Sequence, residues 1–208
     1  MFYDFIDFII DSDNAGGINT NKFYRSSIIS NVLAIECAAN ICIDSLQLPK
    51  PIYEYVEKMS VIGKFDFFSF HKFNKTIDRS INEYSVLKSL ITVRNDLAHP
   101  KVETGVYKFD NEKFHFGNKK NFNLSSDIRI WEKDDAILLL NAHVDFMNYF
   151  FTKLCCYSKG QSTNLLTSME EKVSKAEFET YIKLPKDIHT NFNKYLNTEI
   201  DYLDLRMS

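Results

Sequence analysis

The sequence predicts an all-α fold, an up-and-down helical bundle with a small β-hairpin or extended insertion and a C-terminal helical appendage. Long segments carry apolar residues at three- and four-residue spacing, whereas strict alternation is confined to residues 101–124. The chain has 208 residues, of which 45% are hydrophobic, so it is long enough to bury one core without disulfide or metal support. With 18 Phe and 11 Tyr, much of that core is expected to be aromatic.

We divide the chain into three parts. Residues 1–19 are predicted to form a short N-terminal helix and a loop. Residues 20–157 are predicted to form the helical domain, which carries the insertion at 101–124. Residues 158–208, which turn polar and are interrupted by Pro185, are predicted to form a peripheral helical tail packed on that domain.

The charge and cysteine content limit the classes of partner. The 25 basic and 28 acidic residues give a net charge of −3, so any polyanion would need a local basic site. The four cysteines match neither a zinc spacing nor a secreted disulfide framework, which favours a cytoplasmic location. The N-terminal "MFYDFIDFIIDSD" lacks the basic start of a signal peptide. No run of about 18 uncharged apolar residues is present, and we expect no membrane contact.

The segment from residue 20 to about residue 46 predicts a long helix at the centre of the fold. One apolar row along it comprises Ile28, Val32, Ile35, Ala39, Cys42 and Leu46. A neighbouring row contains Ile29, Leu33 and Ile43. Glu36 and Asn40 interrupt this second row, one helical turn apart. Because burying a lone carboxylate is costly, Glu36 must be paired, hydrogen-bonded or placed at an opening.

Two shorter helices are predicted next, over residues 52–59 and 61–73, after the helix-ending "LPKP". Phe65, Phe68 and Phe73 recur at helical spacing in the second and are expected in the core. From about residue 78 to 98 a further helix places Tyr84, Leu87, Ile91, Arg94 and Ala98 on one seam. Arg94 therefore occupies a position where a core residue is expected.

Helical periodicity resumes in "WEKDDAILLLNAHVDFMNYFFTKLCCYS", residues 131–158. Asp134 and Asp135 suit the positive end of a helix dipole, so we interpret them as helix-start residues and not as a catalytic pair. His143 lies within the apolar part of this helix and is interpreted as a core histidine.

The end of the helix predicted over residues 78–98, "RNDLAHP", combines residues suited to phosphodiester chemistry. Pro100 pushes His99 out of helical geometry, so the imidazole and Arg94 can reach one pocket. Arginine offers a fork of donors for a phosphate, and histidine transfers protons near neutral pH. A structural alternative remains open, in which Arg94 pairs with Glu36 and His99 satisfies the carbonyl groups at the helix end.

Three stretches together resemble the HEPN superfamily of all-helical domains. They are "RNDLAHPK" at 94–101, the preceding apolar helix "YSVLKSLITV", and the upstream helix "IISNVLAIECAANICIDSL". Arg94, Asn95 and His99 match the family signature of Arg, four to six residues and His, with a polar residue after the Arg. Glu36 resembles an acidic residue that recurs on the upstream helix. The resemblance covers residues 20–157, and the 101–124 insertion and the tail depart from it.

The resemblance implies a homodimer in which two copies of Arg94 and His99 share one cleft. In active family members this site cleaves RNA without a metal or cofactor: the 2′-hydroxyl attacks the phosphate, histidine handles protons and arginine neutralises charge. Asn95 would bind substrate or fix His99, and Lys101 would add positive charge to the groove.

Two functions therefore remain open. One is a metal-independent endoribonuclease, acting as a toxin of a toxin–antitoxin pair or as a phage-defence effector and restrained by a protein partner. The other is a non-catalytic HEPN module that binds a nucleotide or a partner protein through the same groove. A metalloenzyme is disfavoured, because the five histidines show no paired ligand spacing. A serine hydrolase is disfavoured because no G-x-S-x-G turn is present.

Overall fold

The computed structural model describes residues 2–15, 20–98, 108–110, 113–115, 124, 131–167 and 193–203, which are mainly α-helical. The all-α prediction is therefore confirmed at the level of fold class. The α-helices are α1 (Phe2–Ala15), α2 (Thr20–Asp44), α3 (Lys50–Val56), α4 (Val61–Phe73), α5 (Asn82–Ala98), α6 (Lys133–Asn148) and α7 (Lys159–Thr167).

Helix α2 is central, since it packs against α1, α4, α5, α6 and α7. The first predicted row is buried from Ile28 through Cys42. The second row differs from the expectation for a helix surrounded by core, because Ile29 is 37% exposed and Leu33 is 43% exposed. These two residues share a face with Glu36, so apolar residues along this side of α2 run onto the protein surface.

By length and composition α2 also meets the criterion for a membrane span, with a mean hydropathy of 1.6 over 18 residues. Glu36 interrupts the apolar stretch of this helix, which is why the sequence contains no span-length run without charge. Within the protein 56% of the window is buried, as expected of a core helix that contacts several others.

The core between α4 and α6 is aromatic, as the composition predicts. The Phe65 ring lies 5.2 Å from that of Phe146 and 4.6 Å from that of Phe150, both edge-on. Phe68 is fully buried, and Phe73 is partly buried against the edge of the same cluster. The prediction that Phe65, Phe68 and Phe73 belong to the core is confirmed for Phe65 and Phe68, whereas Phe73 lies at the edge of the core.

Helix α6 begins with a capping box in which the Asp135 Oδ2 accepts the backbone N–H of Glu132 at 2.9 Å. The interpretation of Asp135 as a helix-start residue is therefore confirmed. After Asn148 the helix continues as a π-helical segment, Tyr149–Leu154, which buries Phe150 and Phe151. His143 is 1% exposed, in agreement with its interpretation as a core histidine.

Residues 193–203, here called the C-terminal strap, lie along α6. Two buried or half-buried amides hold its backbone. Asn141 donates to the Tyr195 carbonyl at 2.8 Å and accepts the Asn197 N–H at 2.6 Å. Asn148 does the same with Glu199 and Asp201, at 2.8 and 2.7 Å. The strap adds buried side chains to the core, namely Tyr195, Ile200, Tyr202 and Leu203.

The strap is also joined to the N-terminal helix through Asp13. This carboxylate accepts hydrogen bonds from the hydroxyls of Tyr24 and Tyr195 and from the Lys133 ammonium. Burial alone would raise the pKa of Asp13, but the hydrogen bonds from Lys133 and Tyr195 outweigh it and lower the pKa to about 2. Asp13 thus links α1, α2, α6 and the strap.

Two short strands, β1 (Lys108–Asp110) and β2 (Lys113–His115), pair antiparallel, with Lys108 opposite His115. They lie in the segment whose alternation predicts a hairpin or an extended excursion. Apart from these strands and Leu124, residues 101–124 lie outside the described part of the chain.

Candidate functional site

Arg94 is positioned by the packing of α5 on the bundle. Leu87, Leu90 and Val93 are buried and fix the orientation of the helix against its neighbours. Arg94 lies on the half-buried edge of this apolar face, at the side that meets α2. The sequence placed Arg94 on a core seam, and its side chain is indeed partly buried, with 27% exposed.

The guanidinium of Arg94 forms a two-point ion pair with Glu36 of α2. Its Nε donates to Glu36 Oε2 at 2.8 Å and its Nη2 donates to Oε1 at 2.7 Å. The structural alternative raised by the sequence, a pairing of these two residues, is therefore present. Because both groups are about one quarter exposed, the pair is screened less than a surface ion pair and is not fully desolvated.

Asn95 supplies the third contact of the guanidinium, because its Oδ1 accepts a hydrogen bond from Arg94 Nη1 at 3.2 Å. An arginine has five N–H donors, of which Glu36 and Asn95 accept three. One N–H on each Nη atom has no acceptor among the described residues. The edge of the guanidinium formed by the two Nη atoms is the edge that suits a two-oxygen acceptor such as phosphate.

Helix α5 ends at Ala98, and both His99 and Lys101 lie outside the described residues. The structure therefore brings together Glu36, Arg94 and Asn95 of the predicted site. The positions of His99 and Lys101 relative to them stay predictions.

A second cation lies beside this group and was not recognised in the sequence. Lys64 of α4 is 8% exposed, and its ammonium donates to Asn40 Oδ1 at 2.6 Å. Asn40 follows Glu36 by one turn of α2. A signal was present in the sequence, because Lys64 interrupts the apolar row of Val61 and Phe68, as Arg94 interrupts the row on α5.

A cavity of about 280 Å³ lies on another side of α2, between α6, α7 and the strap. Its walls are mainly apolar and include Ala34, Ala38, Met147, Leu166 and Leu203. Burial lowers the pKa of His143, which lines it, to about 3, so this imidazole is neutral at physiological pH. Within the described ranges no three His, Cys, Asp or Glu side chains are grouped as metal ligands.

Comparisons with family models, curated proteins and solved structures gave no match.

Proposed function

We propose that the protein is a HEPN-type domain that acts as a metal-independent endoribonuclease in a homodimer. The observation that carries the proposal is the state of Arg94: Glu36 fixes one edge of its guanidinium, Asn95 accepts one N–H of Nη1, and one N–H donor is left on each Nη nitrogen among the described residues. A fixed arginine with a donor pair left over is suited to binding and neutralising a phosphate.

In the proposed reaction the phosphate lies against the Nη edge of Arg94. The 2′-oxygen attacks phosphorus and loses its proton to a histidine, while the bond to the 5′-oxygen breaks and that oxygen takes up a proton. His99 of one protomer and His99 of the other would share these two roles. Asn95 would hold the substrate or fix the imidazole, and Lys101 would add positive charge. The reaction leaves a cyclic phosphate and a 5′-hydroxyl.

The biological setting proposed for this activity is a toxin or a phage-defence effector in the cytoplasm. An unrestrained ribonuclease harms its host, so such an effector would need a protein antitoxin or another regulatory partner.

One observation favours a second function, a non-catalytic HEPN module. Glu36 cancels the charge of Arg94 at close range, with both distances below 2.9 Å, so less positive charge remains for a transition state. A module that binds a nucleotide or a partner protein through the same groove needs only the remaining donors. The two functions differ in whether His99 takes part in bond cleavage.

The test is incubation of the purified full-length chain with mixed RNA in EDTA, alongside His99→Ala and Arg94→Ala. We expect the wild type to cleave RNA and both variants to lose at least about a hundredfold in rate: His99→Ala because it removes a general acid or base, and Arg94→Ala because it removes stabilisation of the negative charge on the phosphate. His71→Ala is the matched control for the histidine, because His71 is exposed on α4. Arg79→Ala is the control for the arginine, because Arg79 pairs with Asp66 at 3.2 Å on the surface.

Cleavage by the wild type that is lost only in the two site variants supports the ribonuclease. RNA binding without cleavage, weakened by Arg94→Ala, supports the non-catalytic module. Cleavage that persists in His99→Ala would contradict the catalytic assignment.

A further inference from the structure

Lys64 has more N–H donors than it has hydrogen-bond acceptors among the described residues. Its side chain is more than nine-tenths buried, and an ammonium carries three N–H donors. The structure describes one hydrogen bond for it, to Asn40 Oδ1 at 2.6 Å, so two donors have no acceptor among the described residues. A buried ammonium is costly to desolvate unless acceptors surround it.

The position of Lys64 follows from the packing of α4 on α2. Val61, Phe65 and Phe68 are buried and turn the same side of α4 toward the core. Lys64 lies between them in sequence and extends to Asn40 at the edge of that contact. The side chain is therefore held in place by its helix and by an amide, and the described residues include no ion pair with it.

Lys64 and Arg94 contact successive turns of one face of α2. Arg94 binds Glu36 and Lys64 binds Asn40, four residues further along, which corresponds to about 6 Å along the helix axis. The next turn carries Asp44, which is exposed and accepts a hydrogen bond from the Tyr53 hydroxyl at 2.7 Å. One cation from α5 and one from α4 thus bind residues on successive turns of α2.

Among the described residues that contact Arg94 and Lys64, one is negatively charged, so one of the two positive charges is not compensated at contact distance; the nearest further carboxylate on this face is Asp44, a turn beyond Asn40. Glu36 is engaged by Arg94 through both of its oxygens, whereas Asn40 offers Lys64 a dipole and no charge. One N–H on each Nη atom of Arg94 and two N–H donors of Lys64 have no acceptor among the described residues, and charged donors at low exposure are suited to binding oxyanions. Inorganic phosphates and nucleic acids would both bind here through the same groups, their phosphate oxygens.

We propose that Lys64 is a second phosphate-binding residue of the Arg94 site, so that the pair binds two linked phosphates. This inference deepens the proposed function, because in RNA the two groups would be neighbouring backbone phosphates. We expect a ligand with two phosphate groups to bind more tightly than inorganic phosphate, because its two groups can contact both cations.

The first experiment titrates the full-length chain with inorganic pyrophosphate in EDTA by calorimetry. Lys64→Gln removes the charge but keeps a donor toward Asn40. We expect it to weaken pyrophosphate binding at least about tenfold, the cost of losing a hydrogen bond to a charged group. Arg94→Gln should weaken binding similarly. The matched control is Lys72→Gln, which removes the same charge from the same helix two turns away and should leave the affinity unchanged.

Lys64→Arg keeps the charge and should retain affinity to within about threefold, which separates a role in binding from a role in folding. Should Lys64→Gln not fold, the wild type labelled with ¹⁵N-lysine still tests the inference. The Nζ resonance that is missing from Lys64→Arg must shift on pyrophosphate titration, and that of Lys72 must not. No pyrophosphate binding, or an equal loss in Lys64→Gln and Lys72→Gln, would overturn the inference.

A second arm uses non-cleavable RNA, in which every 2′-hydroxyl is methylated. Loss of one phosphate contact should reduce the slope of log affinity against log salt by about 0.7 in Lys64→Gln. Pyrophosphate binding that depends on Lys64, without RNA binding, keeps the oxyanion site and rejects the ribonuclease. RNA cleavage that Lys64→Gln leaves intact, with an unchanged salt slope, rejects the role of Lys64 and keeps the ribonuclease.

Discussion

At the scale of residues, Arg94 is held by a protein carboxylate, and this decides what it can do. Glu36 restricts the guanidinium to one orientation, and together with Asn95 it leaves one N–H donor on each Nη atom for a ligand. The pairing could be anticipated from the sequence, because Glu36 and Arg94 each interrupt an apolar row. The pairing of Lys64 with Asn40 could not be anticipated, because the sequence does not specify how α4 is rotated against α2.

We expect Glu36→Gln to lower the free energy of unfolding by about 1–2 kcal/mol, since it weakens a two-point charged hydrogen bond that is about three quarters buried. Urea denaturation measures the change. Glu83→Gln is the control, because Glu83 meets the exposed Lys153 at 3.9 Å and should change stability by less than about 0.5 kcal/mol. Equal effects of the two substitutions would show that the Glu36–Arg94 pair stabilises the fold no more than the Glu83–Lys153 pair does.

His143 predicts a pH dependence of stability. Burial lowers its pKa from 6.5 to about 3, so between these values the unfolded chain binds a proton that the folded protein does not. The free energy of unfolding should therefore decrease as the pH falls below about 6.5, by roughly 1 kcal/mol per pH unit from this group.

Urea denaturation from pH 7.5 to 4.5 measures this slope. His143→Gln cannot take up the proton and should flatten the profile, whereas His71→Gln, at an exposed histidine, should not. A wild-type profile that is flat across the range would contradict the assignment of a neutral buried imidazole.

At the scale of elements, the helices could be predicted and the strap could not. Apolar spacing located α1, α2, α4 and α6 closely, because each helix buries one face. The strap shows no helical period of apolar residues. Side-chain amides of α6 hold its backbone instead. Asn141 and Asn148, seven residues apart and so on one side of the helix, were the available signal. The π-helical turn after Asn148 was equally invisible, because it continues the aromatic run without a break.

Asn141→Ala should destabilise the protein by about 2–3 kcal/mol, because it leaves the Tyr195 carbonyl and the Asn197 N–H of the strap without their partners. Thermal unfolding and hydrogen exchange at Asn197 measure the effect, with faster exchange expected there. Asn164→Ala, on the exposed side of α7, is the control and should be nearly neutral. Unchanged exchange at Asn197 would contradict the account of how the strap is held.

At the scale of the whole molecule, the proposed site is complete only when two chains meet. Light scattering of the full-length chain should give twice the 24.3 kDa chain mass at micromolar concentration. A monomer mass at every concentration up to that used for RNA cleavage would contradict the composite site.

Metal-independent cleavage through the 2′-hydroxyl, with His99 in proton transfer, is tested most directly with an oligonucleotide that has one ribose in a 2′-deoxy background, incubated in EDTA. We expect the wild type to make a single cut after that ribose and to leave a cyclic phosphate on the new end, and we expect no cut by His99→Ala. No cut by the wild type of this oligonucleotide or of mixed RNA, or an equal cut by His99→Ala, would contradict it.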